Sequence, residues 1–253
     1  MSLRTFIQPR VMDLFTSPGA RNFRRRAAEG LRFLRGAAHR VRYFHQVDDP
    51  YSHLAAQFLE AMLDRYDIEL DVHLVGPPAD SAAPERERLV EYSRVDAARL
   101  AEARGLHFRD PGAQPPPELV ARATRVLASA ASPRAFAALA PRVGEALWDS
   151  DAATLDALER DQSVDPATDV RETLARGEAL RSKLGHYLGA VFHYGGESYW
   201  GVDRLGYLES RLIGLGALHK KVSTLLAPRI DVTYDAINAA GAGLTLEFFV
   251  SLR

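Results

Sequence analysis

The chain has 253 residues, is 47% hydrophobic and 26% charged, and carries a net charge of −1. That length can bury a sizeable core as one elaborated domain or two small ones, and the near-neutral balance gives no global reason to expect nucleic acid or an acidic substrate. Cysteine is absent, which excludes disulfides, thiolate–metal sites and a Cys-x-x-Cys redox centre within the chain.

The first 42 residues hold ten arginines, among them Arg24, Arg25 and Arg26, against Asp13 and Glu29 as the acidic residues. Phe23, Leu31, Phe33 and Leu34 are interspersed. One expectation is a solvated helix packed on the domain by those apolar residues. The other is a basic amphipathic segment for an anionic surface or partner. No apolar run is long enough to span a bilayer and the N-terminus has no secretory apolar core, so cytoplasm is the expected compartment.

Val41, Tyr43, His45 and Val47 alternate as a strand does. Asp48-Asp49-Pro50 then joins a stop signal to a helix start, since an acidic side chain caps free amides and proline suits the first turn. Leu54, Ala55, Phe58, Leu59, Met62 and Leu63 share one face at helical spacing. Ile68, Leu70, Val72 and Leu74 alternate with polar residues as a second strand. A strand, helix and strand in this order predict a right-handed βαβ unit with parallel strands.

Residues 85–182 read as helical, with breaks at Asp110-Pro111-Gly112, Pro115-Pro116-Pro117, Pro133 and Asp165-Pro166. Strand character returns at 190–194. Gly195-Gly196 marks a hairpin, Glu197–Trp200 returns, and a helix carrying Leu205, Leu208, Leu212 and Ile213 follows. The order βαβ, helices, ββα predicts an α/β thioredoxin-like fold with a large helical insertion. The expected organisation is a basic, mainly helical extension over 1–40, and a thioredoxin-like domain over 41–75 plus 187–220. A helical insertion over 76–186 and a linker over 221–253 complete it.

The stretch Tyr43-Phe44-His45-Gln46-Val47-Asp48-Asp49-Pro50-Tyr51-Ser52 resembles the opening of kappa-class glutathione transferases and 2-hydroxychromene-2-carboxylate isomerases, of the DsbA-like thioredoxin-fold type. Gly195-Gly196-Glu197-Ser198-Tyr199-Trp200-Gly201-Val202-Asp203-Arg204-Leu205 resembles the same family's closing motif, and Tyr92–Ala97 its helical region. The resemblance covers roughly residues 41–215. It implies glutathione as cofactor, bound between the two motifs, and a glutathione-dependent isomerase or transferase acting on an aromatic or conjugated electrophile. A serine at the helix N-terminus would hold the sulfur; that position is Asp49 here, with Ser52 close by. A carboxylate there accepts hydrogen bonds and repels a thiolate, so Asp49 is expected as a general base or a cap.

The family's aspartate that receives the glutathione ammonium corresponds to Asp203, which also reads as the N-cap of the last helix. Arg204 would pair with Asp203 or a neighbour. Ala190 stands where the family has a cis-proline beside the glutathione backbone, and Trp200 with Tyr199 either walls a cleft or packs in the core. His45 and His193 either face one pocket or are structural. No histidine sits in a metal-ligand pattern, so no metal is expected.

The expected partners are a small-molecule substrate and a homodimer mate or second domain. Leu246–Arg253 is similar around its paired aromatics to Arg42–Asp48, and reads as the start of a second thioredoxin-like repeat or, over 244–252, as a closing strand. The alternative function is a non-catalytic thioredoxin-like scaffold supporting a second domain or a dimer partner.

Overall fold

The computed structural model describes residues 17–83, 85–219 and 224–228; the repeat read at 246–253 lies outside them. Strand β1 (Arg40–Gln46) leads into helices α2 (Pro50–Ala56) and α3 (Leu59–Arg65), then β2 (Glu69–Val75). Before β1 comes α1 (Pro18–Leu34). After β2 run α4 (Arg86–Arg104), α5 (Pro117–Ala128), α6 (Pro133–Trp148), α7 (Ala152–Asp161) and α8 (Arg171–Lys183). The hairpin β3 (Val191–Tyr194) and β4 (Glu197–Trp200) and helix α9 (Gly201–Gly214) close the described chain.

The sheet order is β2-β1-β3-β4. β1 runs parallel to β2, with Arg40 opposite Glu69 and Gln46 opposite Val75. β3 is antiparallel to both neighbours, with Tyr43 opposite Phe192 and Phe192 opposite Tyr199. A parallel pair demands a crossover, and α2–α3 supply it. This is the thioredoxin-like arrangement with its helical insertion between β2 and β3.

Alternation along β1 sends Val41 and Tyr43 to one face of the sheet and Phe44 to the other. The first face joins the main core with α2, α3, α6 and α9, through Leu54, Leu59, Val143 and Leu205. On the second face Phe44, Val75 and Val191 pack with Leu180 and Leu184 at the end of α8. Inserted helices therefore build the same core as the thioredoxin half. The hairpin turn needs left-handed backbone at both Gly195 (φ 53°) and Gly196 (φ 81°), as a two-residue turn of matching twist requires.

Two expectations change. The single helix read after Pro50 is interrupted at Gln57-Phe58. There the Gln57 side chain grips the backbone of His107 from both ends, donating to its carbonyl (2.8 Å) and accepting from its amide (2.8 Å). The second change concerns α1, which docks through its polar side. Arg25 makes two bonds to Glu197 (2.8 and 2.7 Å), and Glu29 accepts from the Tyr194 hydroxyl (2.7 Å) and pairs with Arg32 (2.8 Å). Phe23, Leu31, Phe33 and Leu34, the residues expected to pack, are all exposed.

Helix α8 reaches the sheet because it carries Gly177, whose missing side chain leaves room for the Leu74 carbonyl. A Cβ there would strike backbone, which cannot swing aside. Gly177→Ala is expected to cost about 1–3 kcal/mol by overpacking, despite alanine's better helix propensity. Urea denaturation of the two proteins checks this.

Candidate functional site

The end of β1 and the start of α2 carry the first motif. Asp49 is the N-cap of α2, in extended conformation, and its carboxylate accepts from the amides of Tyr51 (3.3 Å) and Ser52 (3.0 Å). Pro50 follows at the first helical position, where no amide is missed. The Ser52 hydroxyl is fully buried and uses all its capacity. It donates to Asp49 Oδ2 (2.8 Å) and accepts from the amides of Gln46 (3.2 Å) and Ala190 (2.8 Å).

That last bond brings the loop before β3 against the start of α2. Gly189 permits the approach, because a Cβ there would lie 2.7 Å from Gln46 Cβ, 2.8 Å from Ser52 Oγ and 2.9 Å from Asp49 Oδ2. Ala190 takes a left-handed φ of 52°, a conformation costing roughly 1–2 kcal/mol for a residue with a Cβ. Its amide is thereby aimed at Ser52, and its carbonyl accepts from Gly201 N (2.9 Å).

In front of this knot lies a cleft of about 590 Å³. One wall is Asp48–Tyr51, Tyr187–Gly189 and Trp200; the other is Pro77, Pro78 and the face of α4 bearing Arg86, Leu89, Val90 and Ser93. The walls are mainly apolar, as small-molecule sites usually are. Trp200 stands edge-on to Tyr51 (5.2 Å between centroids), and the Tyr51 hydroxyl donates to Asp96 (2.7 Å), which fixes both rings. Arg86 is the one basic side chain of the lining, and it is held by Asp80 (2.6 Å).

Asp49 and Trp200 thus line the cleft. Ser52 and Ala190 lie behind its wall and act through their bonds. Asp203 and Arg204 are not among the lining residues. Helix α9 starts at Gly201 with Trp200 as its N-cap residue, so Asp203 sits in the first turn and is not the cap. Asp203 pairs with Arg104 (3.2 Å), while the Arg204 guanidinium lies over the Tyr207 ring at 5.6 Å. Tyr199 is buried beside Arg211, so the two aromatics divide the roles read for them.

His45 and His193 are buried and neither lines the cleft. The Tyr43 hydroxyl donates to the Ser52 carbonyl (3.0 Å), which leaves its oxygen to accept from His45 Nδ1 (3.0 Å). Burial lowers the His45 pKa to about 3, so it is a neutral core side chain. Among the described residues no cluster of three or more His, Asp or Glu is arranged to hold a metal ion.

The contacts that the resemblance assigns to glutathione are made within the chain. The amides of Tyr51 and Ser52 are bound by Asp49, the amide of Ala190 by Ser52, and the carboxylate of Asp203 by Arg104. As placed, the start of α2 does not offer its amides to a glutathione sulfur, because Asp49 holds them, whereas Asp203 is an exposed carboxylate contacted by Arg104 through Oδ1 alone.

Burial raises the Asp49 pKa to about 6; Asp48 adds to the rise, and bonds from Ser52 and Tyr51 oppose it without cancelling it. The folded carboxyl therefore keeps its proton between about pH 4 and 6, where an unfolded aspartate has lost it. Stability contributed by this group falls as pH rises through that window and is level above it. His45 and His53, lowered by burial to about 3 and about 4, act in the opposite sense. A comparison with Asp49→Asn isolates the aspartate. Between pH 4.5 and 7.5 the wild type is expected to lose on the order of 2 kcal/mol relative to the variant, as read from urea midpoints at each pH. Ser52→Ala strands two buried amides and is expected to cost about 2–4 kcal/mol at pH 7.5, by the same measurement.

No protein-family model matches the sequence, and no curated protein does. Solved structures do match. The structure of 2-hydroxychromene-2-carboxylate isomerase aligns with a TM-score of 0.54 at 19% identity, over 70% of this chain and 96% of that one. A probable DsbA oxidoreductase from Streptomyces coelicolor aligns with a TM-score of 0.52 at 13% identity, over 74% of this chain and 94% of that one. At such identities the likeness is one of fold: the chain has a DsbA-like thioredoxin fold.

Proposed function

We propose that the chain is an isomerase-type enzyme acting on an aromatic or conjugated small molecule in the cleft, with Asp49 as its proton-transfer group and no glutathione thiolate. The observation that carries this reading is a carboxyl with a pKa of about 6 set in the wall of a largely apolar cleft. A group poised near neutrality in a cleft suits general base catalysis. At pH 7 the carboxylate takes a proton from a carbon acidified by conjugation, and the resulting acid returns it at another atom of the same molecule. No co-reactant is consumed. Oδ1 holds only the longer of the capping bonds, so its second lone pair is the freer one. Trp200, Tyr51 and Leu89 would sandwich a planar ligand, and Arg86 would meet an anionic substituent.

A second reading, a ligand-binding or scaffold domain without turnover, is favoured by the bonds with which Asp49 and Ser52 occupy each other.

Trp148 is buried and Trp200 is partly exposed at the cleft, so tryptophan fluorescence reports cleft binding. Screening aromatic and conjugated carboxylates is expected to find saturable quenching that Leu89→Glu abolishes. Asp49→Asn is expected to keep that affinity and lose turnover about a hundredfold or more, and wild-type kcat/KM should rise with pH through about 6. Binding without turnover in the wild type would establish the second reading. Saturable glutathione binding that Asp203→Ala removes would overturn the thiolate-free mechanism.

A further inference from the structure

Helix α1 presents an inverted arrangement. Its polar residues face the domain and its apolar residues face solvent. At about 100° per residue, Arg25, Ala28, Glu29 and Arg32 form one stripe, and from Arg21 to Leu34 these are the residues that lose exposure on the fold. On the opposite side Phe23, Ala27, Gly30, Leu31 and Leu34 form a second stripe, while Phe33 lies outside it, between Arg26 and Glu29. Phe23 is 73% exposed, Leu31 53%, Phe33 78% and Leu34 81%. No residue of α1 is buried.

The charges flank that outward stripe. Arg24 borders it on one side and Arg26 on the other, and both side chains are exposed. Arg21 and Arg35 lie toward the two ends and are exposed as well. The one acidic residue of the helix, Glu29, is on the inward side and is bonded to Tyr194 and Arg32.

We propose that α1 is a docking helix for an anionic lipid surface, lying in the plane of the membrane with Phe23, Leu31 and Leu34 inserted and Arg24 and Arg26 at the headgroups. Charge complementarity selects this occupant. An apolar stripe rimmed by arginines on both sides lets the stems cover apolar surface while the guanidinium groups reach phosphate. A second copy seated on the same stripe by a twofold axis would bring the arginine rims of two α1 helices together, like charge facing like charge. The helix lies on the surface and does not cross: no helix among the described residues is long and apolar enough to span a membrane. The inward ion pairs of Arg25 and Glu29 hold the apolar stripe outward without a membrane, so docking needs no rearrangement of the domain.

Flotation of the full chain with vesicles tests this. The chain is expected to float with equimolar phosphatidylglycerol–phosphatidylcholine vesicles and not with phosphatidylcholine alone, and to be released by high salt. Arg24→Gln with Arg26→Gln should lower partitioning about thirtyfold. Phe23→Asp with Leu31→Asp should abolish it. All four positions are exposed, and an unchanged circular dichroism spectrum shows that the variants fold. Absence of flotation with anionic vesicles overturns the proposal. So does flotation that both double variants retain, or a dimer in sedimentation equilibrium that Phe23→Asp with Leu31→Asp dissolves, which would assign the stripe to a second copy.

Discussion

One buried hydroxyl, that of Ser52, ties three separate parts of the chain together. It has one hydrogen and two lone pairs, and each is used: for Asp49 at the cap of α2, for Gln46 at the end of β1, and for Ala190 at the entry to β3. A buried hydroxyl left unsatisfied would cost about 1–3 kcal/mol, so the three elements are held at fixed separation. The loop before β3 then has to come close, which requires Gly189 without a side chain and Ala190 in a left-handed conformation. The cleft in front of α2 takes its shape from this junction.

The electrostatics of the site follow from the same contact. A carboxylate at a helix N-terminus is normally favoured by the free amides and the helix dipole. At Asp49 those bonds exist, yet loss of water outweighs them and the pKa rises to about 6. Asp48, next in sequence, adds a like charge. The result is a group that changes protonation state close to neutrality at the start of α2. It also fills with its own oxygen atoms the amides that a docked thiolate would use.

The elements of the fold were legible because local signals and tertiary demands agree. Period-two alternation gave both strands of the βαβ unit, Asp49-Pro50 gave the start of α2, and Gly195-Gly196 gave the hairpin. What the residues could not convey depends on partners far away in the chain. The break at Gln57 accompanies its grip on His107, and the docking of α1 through Arg25 rests on Glu197, 172 residues along the chain. Apolar residues on a basic helix read naturally as the buried side, and here ion pairs reverse that. The different roles of Tyr199 and Trp200 were available from alternation along β4, which must send one inward and one outward. Asp203 belonged to a recognisable motif, but its engagement by Arg104 comes from the inserted helix α4, whose position no local pattern encodes. The neutral state of His45 likewise depends on burial from all sides.

Asp49 is a desolvated, self-capping carboxyl that titrates near neutrality and holds with its own oxygens the amides at the start of α2. A carbon-13 NMR titration of aspartate carboxyl groups, with Asp49→Asn to assign the resonance, tests it directly. The expected result is a midpoint near 6 that excess glutathione does not move. A midpoint in the ordinary carboxylate range, or one that glutathione shifts, would contradict it.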